Sequence, residues 1–456
     1  MHTIRIGAAT GFYGDTLDAA IDTAKKGNVQ YLCFDSLAEL TMAILAKDKV
    51  RDPRLGYAKD ITPAMQALLP LAKKNGFKIL TNAGGINPEA AGQEITCVAR
   101  ALHLDGLKVA VVTGDNLMQN LEALQRKNVT FTDLETGKPL NDVREKLMFA
   151  NAYLGSRPIV EALKMGADVV VTGRTTDTAQ FLAPLIYEFG WEEDNWDSLA
   201  QGILMGHLLE CSAQSTGGNF SGPWWEVDGM DHIGFPIAEV RQNGDFILTK
   251  SEGTGGLVTV DTVKEQMLYE IHDPSAYITP DVIADFTTAR LENVGVHRVS
   301  VTGATGNPKP LNLKVVMGYE NGYMGQAMIG YSWPDALRKA RSAEDIIRKQ
   351  LDRRGWNYDE IHASYLGYNS LHGTTVTEPK EELNEVYLRM TVRAKSRQEA
   401  LRFGRLFPPL SLSGPPHLGG AAGMEAPRQL VGMWSALVPR QFIEERVHIS
   451  LVEVTL

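Results

Sequence analysis

Residues 168–177 read Asp-Val-Val-Val-Thr-Gly-Arg-Thr-Thr-Asp. Three consecutive valines and a threonine suit a strand buried on both faces of a sheet. The glycine ends that strand, and a helical pattern follows over 178–189. The same unit recurs upstream, as apolar runs at 4–8, 31–34, 78–81 and 108–112, each closed by Gly, Asp or Asn. Amphipathic patterns at 15–26, 63–75, 88–104 and 157–165 lie between them. This alternation predicts a parallel sheet with helices on its faces. Right-handed crossovers then bring every strand C-terminus to one edge, where ligands bind in such folds.

The residues just past the strands are therefore the first to read for function. They are Gly11 after the first, Asp35 and Ser36 after the second, and Asn82-Ala83-Gly84-Gly85-Ile86-Asn87 after the third. Asp115 follows the fourth, and Gly173-Arg174 the fifth. Further along, 206–218 reads G-H-L-L-E-C-S-A-Q-S-T-G-G. A stable core does not need that mixture of ionisable groups between glycines.

After about residue 225 the pattern changes. A hairpin is expected over 234–252 around Asn243-Gly244-Asp245. Thr262 and Glu265 have capping-box spacing. Runs of antiparallel character follow at 286–291, 296–301, 313–319 and 323–331. Then come a helix at 334–354, strands at 360–368 and 386–394, a helix at 397–406 and a last strand at 447–454. Residues 408–428 are rich in Pro and Gly and poor in charge, which predicts an ordered loop or lid. The expected fold class is α/β. An N-terminal parallel sheet with flanking helices occupies 1–225, and an α+β domain with mostly antiparallel strands occupies 226–456.

Composition excludes several roles. The chain has 456 residues and a formal net charge of −10, with no basic run, which argues against nucleic acid or an anionic membrane as partner. No apolar stretch is long enough to span a bilayer. Three cysteines, Cys33, Cys97 and Cys211, are too few for a disulfide framework, so a reducing cytoplasm is the expected location. No G-x-G-x-x-G or P-loop is present, so neither NAD nor ATP is expected. No G-x-S-x-G elbow is present either.

Each polar group has a chemical reading beside a plainer one. His207 and Glu210 are three apart and share a helix face, so they can move a proton or hold a divalent metal; they can equally be an ion pair. A metal would need Asp35 and Asp177 to complete the site with His207 and Glu210. Arg174 at a strand end suits a carboxylate or phosphate, whereas Asp177 or Thr176 can serve as a helix cap. Gly84 and Gly85 allow backbone N–H groups to approach an anion, with Asn87 as cap and Pro88 in the first helical turn. Asn82, Asp115, Gln214 and Thr254 complete the substrate-binding candidates. Cys211 is a nucleophile or a small core residue, and its neighbour Glu210 favours the core.

The chain resembles the acyclic terpene utilisation AtuA proteins. The resemblance is carried by T-N-A-G-G-I-N-P (81–88), A-D-V-V-V-T-G-R-T-T-D-T-A (167–179), G-H-L-L-E-C-S-A-Q-S-T-G-G (206–218), T-V-K-E-Q-M-L-Y-E-I-H-D-P (262–274) and Y-I-T-P-D-V-I-A-D-F (277–286). Ser212 departs from the glycine expected in the family's E-C-G-x-Q. The resemblance implies bacterial catabolism of acyclic terpenes through CoA-thioester intermediates and carboxylated branched acids. The convergence of polar strand ends with the H-x-x-E segment adds the expectation of an enzyme of lyase or hydratase type. Its substrate would be a small branched carboxylic acid or its CoA thioester. A hydrolase of an amide or thioester is the alternative, and a non-catalytic CoA-ester-binding subunit a second. A homo-oligomer is expected, and the resemblance adds a small companion protein. On the lyase or hydratase reading His207 with Glu210 moves the proton, Asp177 and Asp35 orient His207 or hold a divalent ion, and Arg174 binds the substrate carboxylate.

Overall fold

The computed structural model describes residues 2–422, 424 and 426–456. It contains two compact units, one running to Gly318 and resuming as Met433–Leu456, the other formed by Tyr319–Gly432.

The first unit is built on a ten-stranded sheet. In spatial order the strands are Arg290–Gly295, Arg298–Thr302, Phe246–Lys250, Pro236–Arg241, Thr3–Thr10, Tyr31–Phe34, Lys78–Thr81, Val169–Thr172, Lys108–Thr113 and His448–Glu453. The five expected parallel strands are all present and adjacent. The fifth lies between the third and fourth, with Val169 opposite both Ile79 and Val109. Val169, Val170 and Val171 are buried, as a strand covered on both faces requires. The helices Ile61–Asn75 and Pro88–Ala101 bury Met65, Leu68, Ala91 and Ile95 in the same core as Ile79 and Val171.

The unit does not end at the expected boundary of 225/226. The hairpin forms as read, with Val240 opposite Phe246, but it extends the first sheet by pairing with Thr3–Thr10. At the opposite edge His448–Glu453 pairs antiparallel with Lys108–Thr113. What changes near 225 is strand direction. A parallel sheet left open would expose unpaired backbone at both edges, and these antiparallel strands cover it.

In the second unit residues 323–332 of the strand Asn312–Ser332 pair with Glu385–Ala394, which pairs in turn with Glu360–Leu366. The helix Ala336–Arg354 buries Ala340, Ala343, Ile347 and Leu351 against Leu388 and Met390. The runs expected at 313–319 and 323–331 are thus one strand. The 408–428 loop is also corrected. It contains a helical turn, Leu410–Ser413, and a strand, Leu418–Ala422, that pairs with 328–331. Gly423 and Glu425 lie outside the described residues. The cap expected at Thr262 sits one turn earlier: the Thr259 hydroxyl accepts from the Thr262 N–H, and the Thr262 hydroxyl accepts from the Thr259 N–H. Among the described residues no helix is long and apolar enough to cross a membrane.

Candidate functional site

The helix Trp196–Glu210 is apolar on nearly every face, and such a helix belongs inside a protein. It is buried from Leu199 to Glu210. His207 and Glu210 therefore enter the interior with it. Their side chains meet, with Nδ1 of His207 2.9 Å from Oε1 of Glu210. The other polar atom of each, Nε2 and Oε2, is buried without a hydrogen-bond partner. Burial pulls the His207 pKa down to about 4, so the imidazole is neutral near pH 7. Burial, aided by the charges of Asp177 and Glu270, pushes Glu210 well above the usual carboxylate range. Gly11, past the first strand, sits against this helix end; a Cβ there would lie 2.9 Å from the Glu210 carbonyl oxygen.

Arg174 ties the other strand ends together. Its Nη1 donates to the Leu37 carbonyl at 2.7 Å and to Asp177 at 2.9 Å. Its guanidinium lies 4.1 Å from the centre of the Tyr153 ring. The side chain is 2% exposed against 37% for Asp177, so the pair runs from the interior toward solvent. Burial opposes the Arg174 charge, but Tyr153, Asp177 and Asp35 hold it in place. The Nε of Arg174 is buried and unpartnered.

Asp35 accepts from Nδ2 of Asn82 at 2.6 Å, and Oδ1 of Asn82 accepts from the Ser36 N–H at 2.8 Å. Asp35 is pushed up by burial and by the negative charges of Asp177 and Glu210. Asp115 accepts from Asn151 at 2.7 Å and from the Arg174 N–H at 2.8 Å; burial still raises it to about 6. The convergence of strand ends is thus real, but Asn82 and Asp115 spend their polar atoms holding Asp35 and Arg174. They brace the site instead of offering groups to a ligand.

Other expected residues do not join. The N–H groups of Gly85, Ile86 and Asn87 bond to the Asn82, Gly56 and Gly84 carbonyls, so this turn offers them to no anion. Gly84 is needed for space, since a Cβ would stand 2.4 Å from the Thr172 carbonyl oxygen. Asn87 caps nothing; its amide holds the carbonyls of Pro53 and Leu55. Thr254 bonds to the Ser251 carbonyl in a separate turn. Gln214 donates to Gln266, whose amide donates to the His207 carbonyl, so it supports the site from behind. Among the described residues no three His, Cys, Asp or Glu side chains are grouped to hold a metal, so Asp35, Asp177, His207 and Glu210 do not form a ligand set. The Cys211 thiol is pushed far up by burial and by Glu210, the opposite of an activated nucleophile.

A model of the acyclic terpene utilisation protein AtuA matches residues 4–449. The chain belongs to that family. Membership implies a role in acyclic terpene utilisation. No curated protein and no solved structure matches the chain.

Sequence reading missed several groups around the site of this AtuA chain. Tyr153 covers the Arg174 face and donates to Glu39, which Lys314 also reaches at 3.1 Å. Burial works against the Glu39 charge, but Tyr153 and Lys314 hold its pKa down at about 2. Tyr277 and Phe286 pack on the His207 ring, with centroids 5.4 and 5.8 Å away. None of these stands in a motif with chemical meaning. The one available signal was that Tyr277 and Phe286 bracket the segment Y-I-T-P-D-V-I-A-D-F. A cavity of about 550 Å³ opens nearby, lined by Leu154, Ser156, Trp191, Asp281 and Lys309 among others, but by none of the expected site residues. Its wall touches the site through Leu154, whose N–H donates to the Arg174 carbonyl.

Proposed function

We propose that this protein is an acid–base enzyme of lyase or hydratase type. Its substrate is a small branched carboxylic acid or its CoA thioester, within the use of acyclic terpenes or related organic acids. One observation carries this reading. Five buried polar atoms without partners fall in two segments, 174–178 and 207–210, that meet where Gly206 lies against Thr178: His207 Nε2, Glu210 Oε2, Arg174 Nε, and the hydroxyls of Thr176 and Thr178. Native chains leave few such atoms, and a cluster of them suits the polar groups of a ligand.

The two ends of the His207–Glu210 pair suit opposite tasks. If Nδ1–H donates to Oε1, Nε2 keeps its lone pair and is a base. With Glu210 protonated, Oε2–H is an acid. Dehydration needs both: Nε2 takes the proton from the carbon beside the carbonyl, and Oε2–H protonates the departing oxygen at the next carbon. The C–H electron pair becomes the new double bond as the C–O bond breaks. Hydration runs the same steps backwards. Arg174 supplies a cation whose Nε faces the ligand, and Asp177 fixes its orientation.

The test is hydration of 3-methylcrotonyl-CoA and of the free acid, followed by NMR in D₂O. His207→Gln and Glu210→Gln should each lower the rate by about 10²–10⁴-fold. Retention of the full rate by His207→Gln would sink the assignment.

A further inference from the structure

We infer that Tyr277 is a third substrate-facing group, the hydrogen-bond donor to the acyl carbonyl oxygen on which charge builds when the proton leaves. This rests on the acid–base reading above and adds to it a residue with a separate task. Removing a proton from the carbon beside a carbonyl moves electrons onto that oxygen, and neither His207 nor Glu210 is free to meet it while both handle protons.

The geometry points to Tyr277 in three ways. First, its backbone is fixed. Tyr277–Ile278 is a short strand paired with Ile283–Asp285, Tyr277 opposite Ala284, and the turn between them is closed by Thr279, whose hydroxyl donates to the Val282 carbonyl at 2.7 Å. Second, its ring is locked in a triangle with His207 and Phe286: Tyr277 to Phe286 5.1 Å, Tyr277 to His207 5.4 Å, His207 to Phe286 5.8 Å. The phenol and the imidazole are thereby held side by side. Third, its hydroxyl lies in the field of Glu210, Asp177, Cys211 and Asp35, and Asp177 acts on both His207 and Glu210 as well. Burial and those negative neighbours keep the phenol protonated, which is the state a donor needs. During the reaction Tyr277 keeps its proton. Its O–H bond shortens the approach to the oxygen while the C–H proton passes to His207, and no other bond to it forms or breaks.

The probe is S-isovaleryl-N-acetylcysteamine, a small uncharged branched thioester. Two quantities are read with the full chain: binding by NMR line broadening, and exchange of the proton beside the carbonyl in D₂O. Tyr277→Phe keeps the ring triangle and should melt like the wild type. Its exchange should fall about 10²-fold or more, while binding weakens about tenfold or less. Phe286→Leu, which loosens the triangle but keeps the hydroxyl, should lower the exchange less than Tyr277→Phe does. Exchange by Tyr277→Phe within about threefold of wild type, with His207→Gln inactive, overturns the role of Tyr277 and leaves the acid–base reading standing. If the wild type binds the probe without exchanging its proton, the acid–base reading fails. In that case weaker binding by Tyr277→Phe still supports its contact with the acyl oxygen, and equal binding overturns it. No binding by the wild type overturns both.

Discussion

Replacing His207 by glutamine keeps a hydrogen-bonding side chain beside Glu210 but removes a group that titrates between pH 4 and pH 7. In the folded chain burial holds the imidazole at about 4, against 6.5 ordinarily. Between those values the unfolded chain binds a proton that the folded chain refuses. Stability therefore falls as pH drops through this window, and the loss is complete below pH 4. At 1.36 kcal/mol per pH unit of separation the full loss is about 3 kcal/mol, and lowering the pH from near 7 to near 5 produces about 2 kcal/mol of it. Asp35 and Glu210 act with the opposite sign. Both are raised in the folded chain, so acidification favours folding through them, and both remain in the variant. The assay is urea unfolding of wild type and His207→Gln near pH 7 and near pH 5. The wild type should lose about 2 kcal/mol more than the variant across that interval. Parallel losses, within about 0.5 kcal/mol, would show that the imidazole is not held neutral by burial and would remove the base from the proposed pair.

Three further outcomes follow from the same geometry. Gly84→Ala should destabilise the first unit by about 2 kcal/mol in urea, because its Cβ meets two backbone atoms, the Thr172 oxygen at 2.4 Å and Pro88 Cα at 2.8 Å; a neutral effect would mean the turn shifts freely. Arg174→Met should cost about 3 kcal/mol near pH 7 by leaving the buried Asp35 without its cation and the Leu37 carbonyl without its donor, and less near pH 5, where Asp35, already raised by burial, takes up its proton; a pH-independent loss would point to packing alone. Iodoacetamide should label the exposed Cys97 before Cys211, as read by peptide mass; faster labelling of Cys211 would contradict a thiol held protonated by burial and Glu210.

The parallel half of the sheet was legible because each of its strands is short, apolar and closed by a residue that cannot extend it. Its antiparallel flanks were not. The run at 236–250 reads as a hairpin wherever it packs, and nothing local says that Pro236–Arg241 completes the edge beside Thr3–Thr10. The pairing of His448 with Thr113 joins segments more than three hundred residues apart, beyond any periodic signal. The site divides in the same way. Arg174, Asp177, His207 and Glu210 could be found because ionisable groups at strand ends or inside an apolar helix are costly. Whether Ile86 and Asn87 had N–H groups to spare depended on the Gly56 and Gly84 carbonyls, which the sequence does not place. Tyr153 and Tyr277 were missed because an aromatic residue in a mixed segment looks the same whether it packs or binds.

The edge strand His448–Glu453 also has a consequence for the order of folding. Its partner Lys108–Thr113 lies more than three hundred residues away in sequence, so their pairing closes a very long loop. Contacts of that separation form late, after the local strand–helix units are in place. Until then the backbone of Lys108–Thr113 is an open template for any passing strand. The partly folded sheet is most exposed to misassembly at this border, and a chaperone that covers it would do most good there.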